Sequence, residues 1–222
     1  MLLLALDTAT PAVTVALHDG TEVLAASTVV DARRHGELLM PSVDRTLAEA
    51  GVSLGDVTAV VAGVGPGPYT GLRVGLATAE AFGLALGVPV HGVCTLDGIA
   101  YAYGTSHGHR GGPFAVATDA RRKEVYWARY DDARTRASEP AVDRPADLAE
   151  PLAGLPVAGA GALLHPDAFP GAAPPEHVTA GALAALAAER LAAGAALAPP
   201  RPLYLRRPDA QVPRNYKVVT PR

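Results

Sequence analysis

Hydrophobic and polar positions along the first half follow two periods. LLLALDTAT, AVTVALHDG and EVLAASTVV are β-type runs separated by Thr/Pro and Asp-Gly turn signals, which predicts an antiparallel meander of three strands. Across 35–50, Leu38, Leu39, Val43, Leu47 and Ala50 recur at helical spacing, with Glu37, Asp44, Arg45 and Glu49 between them. An amphipathic helix is expected there, with Pro41 kinking it or shifting its start toward Met40, because proline removes a backbone donor. VTAVVAGV then reads as a buried strand, followed by a helix over 71–86, the strand PVHGVC and a short helix over 96–103. FAVATDA begins a further strand. Residues 138–175, rich in Ala, Pro and Gly, offer only the strand candidate PVAGAG and are expected to make few contacts. An alanine-rich helix over 179–193 and an extended, proline-rich C-terminus follow.

Two stretches of this pattern resemble each other. ALDTATPAVTVAL lies over VATDARRKEVYWA, placing Asp119 on Asp7, and each copy is an apolar strand ending in Asp, a polar turn and a second β-type strand. A duplicated domain is expected. The length, 222 residues, admits two small domains. A hydrophobic content of 49% with 18% charged residues is that of a chain that folds. The leucines at the N-terminus lack a basic flank and are interrupted by Asp7, so they read as a first strand rather than a signal peptide. Arg73 and Glu80 interrupt the most apolar stretch, so no membrane span is expected. Cys94 is the single cysteine, which excludes an internal disulfide and fits a cytoplasmic location. The formal net charge is −3, yet residues 201–222 carry Arg201, Arg206, Arg207, Arg214, Lys217 and Arg222 against Asp209. Such a tail suits a phosphate backbone or an acidic partner, or is simply solvated.

The loop GVGPGPYTG, between a strand and a helix, has the context of an anion site, with Gly65, Gly67 and Thr70 as candidates. It lacks the lysine of a P-loop, and Pro66 and Pro68 carry no N–H to offer. Asp7, Thr8 and Asp119 are candidates to flank a cleft and hold Mg²⁺ with a nucleotide; the alternative is that each aspartate caps its own turn. Behind the loop, Gly71, Gly75, Ala79, Gly83 and Gly87 recur every fourth residue as a bare helical ridge, which allows another backbone to come close. That other backbone is either the chain's own sheet or a helix of another subunit. His91 and Cys94 point to opposite faces of a strand and cannot share a metal. His35, His107 and His109 read as solvated, and no nucleophile elbow is present.

LALDTAT, HGELLMPSVDRTL, GVGPGPYTGLRVGLATAEAFGLALGVPV and the terminal PLYLRR together resemble the bacterial TsaB (YeaZ) family. The resemblance is dense to about residue 104, sparse through the second half, and returns at Tyr204. It implies an α/β fold of two ribonuclease H-like, actin-like ATPase domains, with mixed sheets flanked by helices. The domains are expected at 1–104 and, smaller, at 105–222. It also implies a non-catalytic subunit for threonylcarbamoylation of adenosine 37 in tRNA. The expected partners are the catalytic paralogue TsaD and the small ATPase TsaE, with a homodimer when alone and tRNA met indirectly. In the paralogue two metal-binding histidines sit one turn apart on the helix after PVHGVC; Thr95, Leu96, Asp97 and Ile99 provide none. No metal, no catalytic residue and no cofactor bound by the chain alone are therefore expected. ATP or ADP with Mg²⁺ belongs to the assembled complex, and an autonomous Mg-ATP-dependent ATPase or kinase is the alternative. The partner face is expected on Glu37, Leu38, Pro41 and Arg45 of the first helix and on Gly71, Arg73, Gly75, Ala79 and Gly83 of the second. Replacing Gly75 or Ala79 by Leu is then expected to damage the complex more than the monomer.

Overall fold

The structure is a computed structural model that describes residues 1–106 and 111–206. His107 and His109, like Arg207, Arg214, Lys217 and Arg222 of the basic tail, lie outside the described residues. The predicted meander is present as β1 (Leu3–Asp7), β2 (Ala12–His18) and β3 (Val23–Val30). It is followed by α1 (His35–Ala50), β4 (Ala59–Gly63), α2 (Tyr69–Leu86), β5 (Val90–Val93) and α3 (Thr95–Gly104). The second half repeats the order with β6 (Phe114–Asp119), β7 (Val125–Tyr130), β8 (Ala141–Asp143), α4 (Pro145–Leu148), β9 (Val157–Ala158), α5 (Ala160–Leu164), β10 (Ala172–Ala173) and α6 (Ala180–Ala192).

The two sheets share one topology. The first runs β3-β2-β1-β4-β5 and the second, read from its other edge, β8-β7-β6-β9-β10. In each, the opening strand pairs antiparallel with the next strand and parallel with the fourth. The Asp7 and Asp119 copies thus end equivalent central strands. The second copy is reduced, since α4 and α5 have 4 and 5 residues where α1 and α2 have 16 and 18.

Side chains alternating across β1 divide between two cores. Leu4 and Leu6 meet Leu39 and Val43 of α1 and Leu72, Leu76 and Phe82 of α2. Leu3 and Ala5 face a middle layer in which α3 and α6 lie between the sheets, packing Ile99 and Leu183 against Phe114 and Tyr130 of the second sheet. Beyond that sheet, Leu148, Leu152 and Phe169 close a third cluster over Ala115, Ala117 and Val157. Residues 138–175 therefore carry a packed layer, contrary to the expectation of few contacts; their elements are too short to show a period.

Helix α1 runs through Pro41 and starts at His35, not nearer Met40, with the amides of Glu37 and Leu38 bonded to the Arg34 carbonyl at 3.0 Å. The donor missing at Pro41 falls on the exposed side of the helix, where water can satisfy the carbonyl it leaves. Both α1 and α2 stop at a left-handed glycine, Gly51 and Gly87. Gly87 is thus a helix cap and not part of a packing ridge.

Because α6 belongs to the second half in sequence but fills the layer shared by both sheets, Leu183→Ala is expected to cost ~2–5 kcal/mol in one transition common to the whole molecule. Calorimetry resolving two transitions, only one displaced by the substitution, would contradict this.

Candidate functional site

Asp7 ends β1 under the glycine loop and is completely buried. Its Oδ1 accepts the Ala9 amide at 2.7 Å and its Oδ2 accepts the Thr95 hydroxyl at 2.6 Å. A Cβ at Gly63, across the sheet, would collide with the carboxylate, so glycine there makes the room. Thr95 in turn accepts the Gly65 amide at 3.1 Å and donates its own amide to the Gly65 carbonyl at 2.8 Å. One carboxylate therefore joins β1, the glycine loop and the start of α3. Burial pushes its pKa up to about 6, against the opposing pull of the Thr95 and Ala9 hydrogen bonds and of His35. Asp7 has no solvent-facing oxygen with which to meet Mg²⁺.

Thr8 is consumed in the same way. Its hydroxyl donates to the Gly71 carbonyl at 2.7 Å and accepts the Gly75 amide at 2.9 Å. Gly71, Gly75, Ala79 and Gly83 are all buried within the chain. A Cβ would meet the Thr8 carbonyl oxygen at 2.6 Å from Gly71, Thr8 Oγ1 at 2.5 Å from Gly75, and the Val90 side chain from Gly83. The ridge faces the chain's own sheet, which corrects the assignment of these four residues to a partner face. Gly65 and Pro66 are buried, and Gly67 lies hard against the Ala9 carbonyl, so the loop packs inward instead of offering amides to an anion.

A cleft of about 300 Å³ remains in front of the loop. Thr8, Thr10, Arg33, His35, Thr70 and Gly71 line it from the first half, and Asp119 and Arg121 from the second. Of the candidates Asp7, Thr8, Gly65, Gly67, Thr70 and Asp119, only Thr8, Thr70 and Asp119 reach it. Asp119 caps its turn as Asp7 does, accepting the Arg121 amide at 2.7 Å, and Arg121 lies 3.5 Å from its other oxygen. The sequence reading missed Thr95 and the cleft residues Thr10, Arg33 and Arg121. Thr95, directly after a strand and opening a helix, was the one with a local signal. His35 is half-buried, not solvated, with its Nε2 2.8 Å from the Thr10 carbonyl.

The segment after α6 straps this region from outside. Gly92 donates to the Ala198 carbonyl at 2.7 Å, Leu203 donates to that of Val64 at 2.8 Å, and Arg206 reaches the Ala120 carbonyl and pairs with Glu124. The described part of the basic tail is thus docked on the body. Tyr204 packs against Tyr69 with ring centroids 5.2 Å apart and planes tilted by 31°, and Arg73 lies 3.7 Å over the Tyr69 ring while donating to the Tyr204 hydroxyl at 3.2 Å. Arg73, assigned above to the partner face, is held in this aromatic cluster.

Residues 23–163 match the family model described as TsaD: tRNA N6-adenosine threonylcarbamoyltransferase. The chain is 32% identical to the solved structure of YeaZ from Pseudomonas aeruginosa, covering 92% of this chain and 99% of that one with a TM-score of 0.79. The chain belongs to the TsaB (YeaZ) family. The Escherichia coli tRNA threonylcarbamoyladenosine biosynthesis protein TsaB is 40% identical over 131 residues, 59% of this chain and 55% of that protein. An uncharacterized Mycobacterium tuberculosis protein, Rv3421c, is 48% identical over 94% of this chain and 93% of its own length.

In this member of the TsaB family, α3 opens with Thr95, Leu96 and Asp97. Asp97 is buried and accepts the Tyr130 hydroxyl at 2.9 Å, Arg136 at 3.0 Å and Arg190 at 3.4 Å. Two guanidinium groups thus lie against that carboxylate. Cys94, one turn earlier, is buried, and its thiol is pushed up to about 12, chiefly by that burial. Among the described residues no group of three or more His, Cys, Asp and Glu converges on a metal-sized space.

Two substitutions probe this geometry. The Asp7 pKa is raised from 3.8 to about 6 on folding, so its contribution to stability is fully present below 3.8 and is lost as pH rises through about 6. Urea denaturation should show Asp7→Asn at least as stable as the parent above pH ~6, with the parent gaining on it by ~3 kcal/mol toward acid. Parallel stability curves would show that Asp7 is not desolvated. Gly75→Leu should destabilise the isolated monomer by at least ~1–3 kcal/mol, because its first carbon already meets Thr8. An unchanged denaturation midpoint would return the ridge to a partner.

Proposed function

We propose that this chain is a non-catalytic subunit for N6-threonylcarbamoylation of adenosine 37 in tRNA, in the cytoplasm, acting by binding and organising the catalytic paralogue TsaD. The observation that carries this is the consumption of two candidate Mg-nucleotide ligands, Asp7 and Thr8, by the chain itself. Both Asp7 oxygens and the Thr8 hydroxyl have internal partners. The residues do not fit a self-sufficient Mg-nucleotide site, which argues against an autonomous ATPase or kinase. ATP or ADP with Mg²⁺ would require ligands from the partner across the 300 Å³ cleft.

The docking surface we assign is the outer face of α1 and α2. Glu37, Pro41 and Arg45 are exposed there, with Met40 at 44% and Leu84 at 88% exposure; Leu38 is half-buried at the edge. Ala77 and Ala81 leave the α2 side of this face shallow, so a partner helix can approach closely. The same face would serve a homodimer when the chain is alone, and TsaE would join the assembled pair.

Leu84→Glu should abolish co-elution with TsaD while leaving the circular dichroism and melting of the isolated chain unchanged. In a reconstitution, omitting the chain should abolish tRNA modification. Modification at full rate without it, or tight Mg-ATP binding by the chain alone, would overturn the proposal.

A further inference from the structure

The turns that follow the two equivalent strands have opposite chemistry. Thr8, Ala9, Thr10 and Pro11 form the first, buried or half-buried and tied into α2 and α1. At the same offset the second turn is Ala120, Arg121, Arg122 and Lys123, and its three basic residues are exposed. The fold does not require charge here, since the sister turn closes without any. Nor does the backbone favour these residues. Arg121, Arg122 and Lys123 all adopt left-handed conformations, with φ of 60°, 55° and 60°, which glycine or asparagine accepts at lower cost.

What surrounds the turn fits a ligand of defined chemistry. Arg33 lines the same cleft as Arg121, and Arg206 is bonded to the turn through Ala120 and Glu124. Against these cations stand Asp31, Asp119 and Glu124, so the region is locally basic in a chain of net charge −3. Two residues before Arg206, Tyr204 packs tilted against Tyr69, whose ring also carries Arg73, and the two residues remain 43% and 45% exposed. A run of cations beside a part-exposed aromatic pair is the combination that holds unpaired nucleic acid, phosphates on the cations and bases on the free part of the rings.

We propose that the 121–123 turn and the Tyr69–Tyr204 pair form a direct RNA-binding surface, which engages a single-stranded loop of the RNA substrate. This rests on the tRNA-modifying role proposed above and changes the chain's relation to tRNA from indirect to direct contact.

The test is binding of the full-length chain to a labelled RNA hairpin with an unpaired loop, and to a fully paired RNA duplex of equal length, across a salt series. Replacing Arg121, Arg122 and Lys123 together by Gly, which suits the left-handed backbone, should weaken binding of both RNAs by roughly tenfold or more and flatten the salt dependence. Tyr204→Ala should weaken only the hairpin, and Tyr204→Phe should restore it. RNA binding that is absent in the parent, or equal in parent and triple-glycine variant, overturns the proposal. So does a triple variant that keeps the RNA but loses TsaD in co-elution, which would make the turn a protein contact. These measurements need no modification activity. A chain dispensable for modification that still binds RNA through these residues would remove the proposed function alone; a chain required for modification that ignores RNA would remove this inference alone.

Discussion

The carboxylate of Asp7, sealed between the Thr95 hydroxyl and the Ala9 amide over Gly63, is the interaction on which the rest of the site depends. Burying an ionisable group is expensive unless its oxygens are satisfied, and here both are. The expense is met by local bonds that also fix three neighbouring elements. Thr95 is tied at once to Asp7 and Gly65, so the glycine loop cannot open without exposing the carboxylate. An aspartate at the end of a central strand serves here as a structural rivet.

Packing carries that constraint outward. Thr8, next to Asp7, bonds two backbone groups of α2 and draws the bare side of that helix against β1. With its small residues spent inside, α2 turns Ala77, Ala81 and Leu84 to solvent beside Met40 and Pro41 of α1. A sealed Asp7–Thr8 corner and an open helical face are thus two results of one arrangement. The middle layer, where α3 and α6 meet both sheets, ties the halves into a single core.

Much of this was legible in the chain. The alternation of β1 to β3, the amphipathic period of α1 and the Asp7 and Asp119 echo survive because each depends on residue type at local spacing. The Asx turns after β1 and β6, with 2.7 Å bonds in both copies, explain why the echo was visible at all. The direction of the glycine ridge was not legible. A stripe of small residues suits a sheet as well as a foreign helix, and the choice was made by Thr8, 67 positions from its partner Gly75. The 138–175 region was opaque because its strands and helices are two to five residues long. The left-handed turn at 121–123 was hidden by having neither glycine nor asparagine to announce it.

The central claim, that Asp7 is locked away from solvent and metal, is tested most directly by titrating its carboxyl carbon by NMR in the presence and absence of Mg-ATP. The account predicts a midpoint of about 6, unmoved by the nucleotide. A midpoint near the ordinary aspartate value of 3.8, or one displaced when Mg-ATP is added, would contradict it.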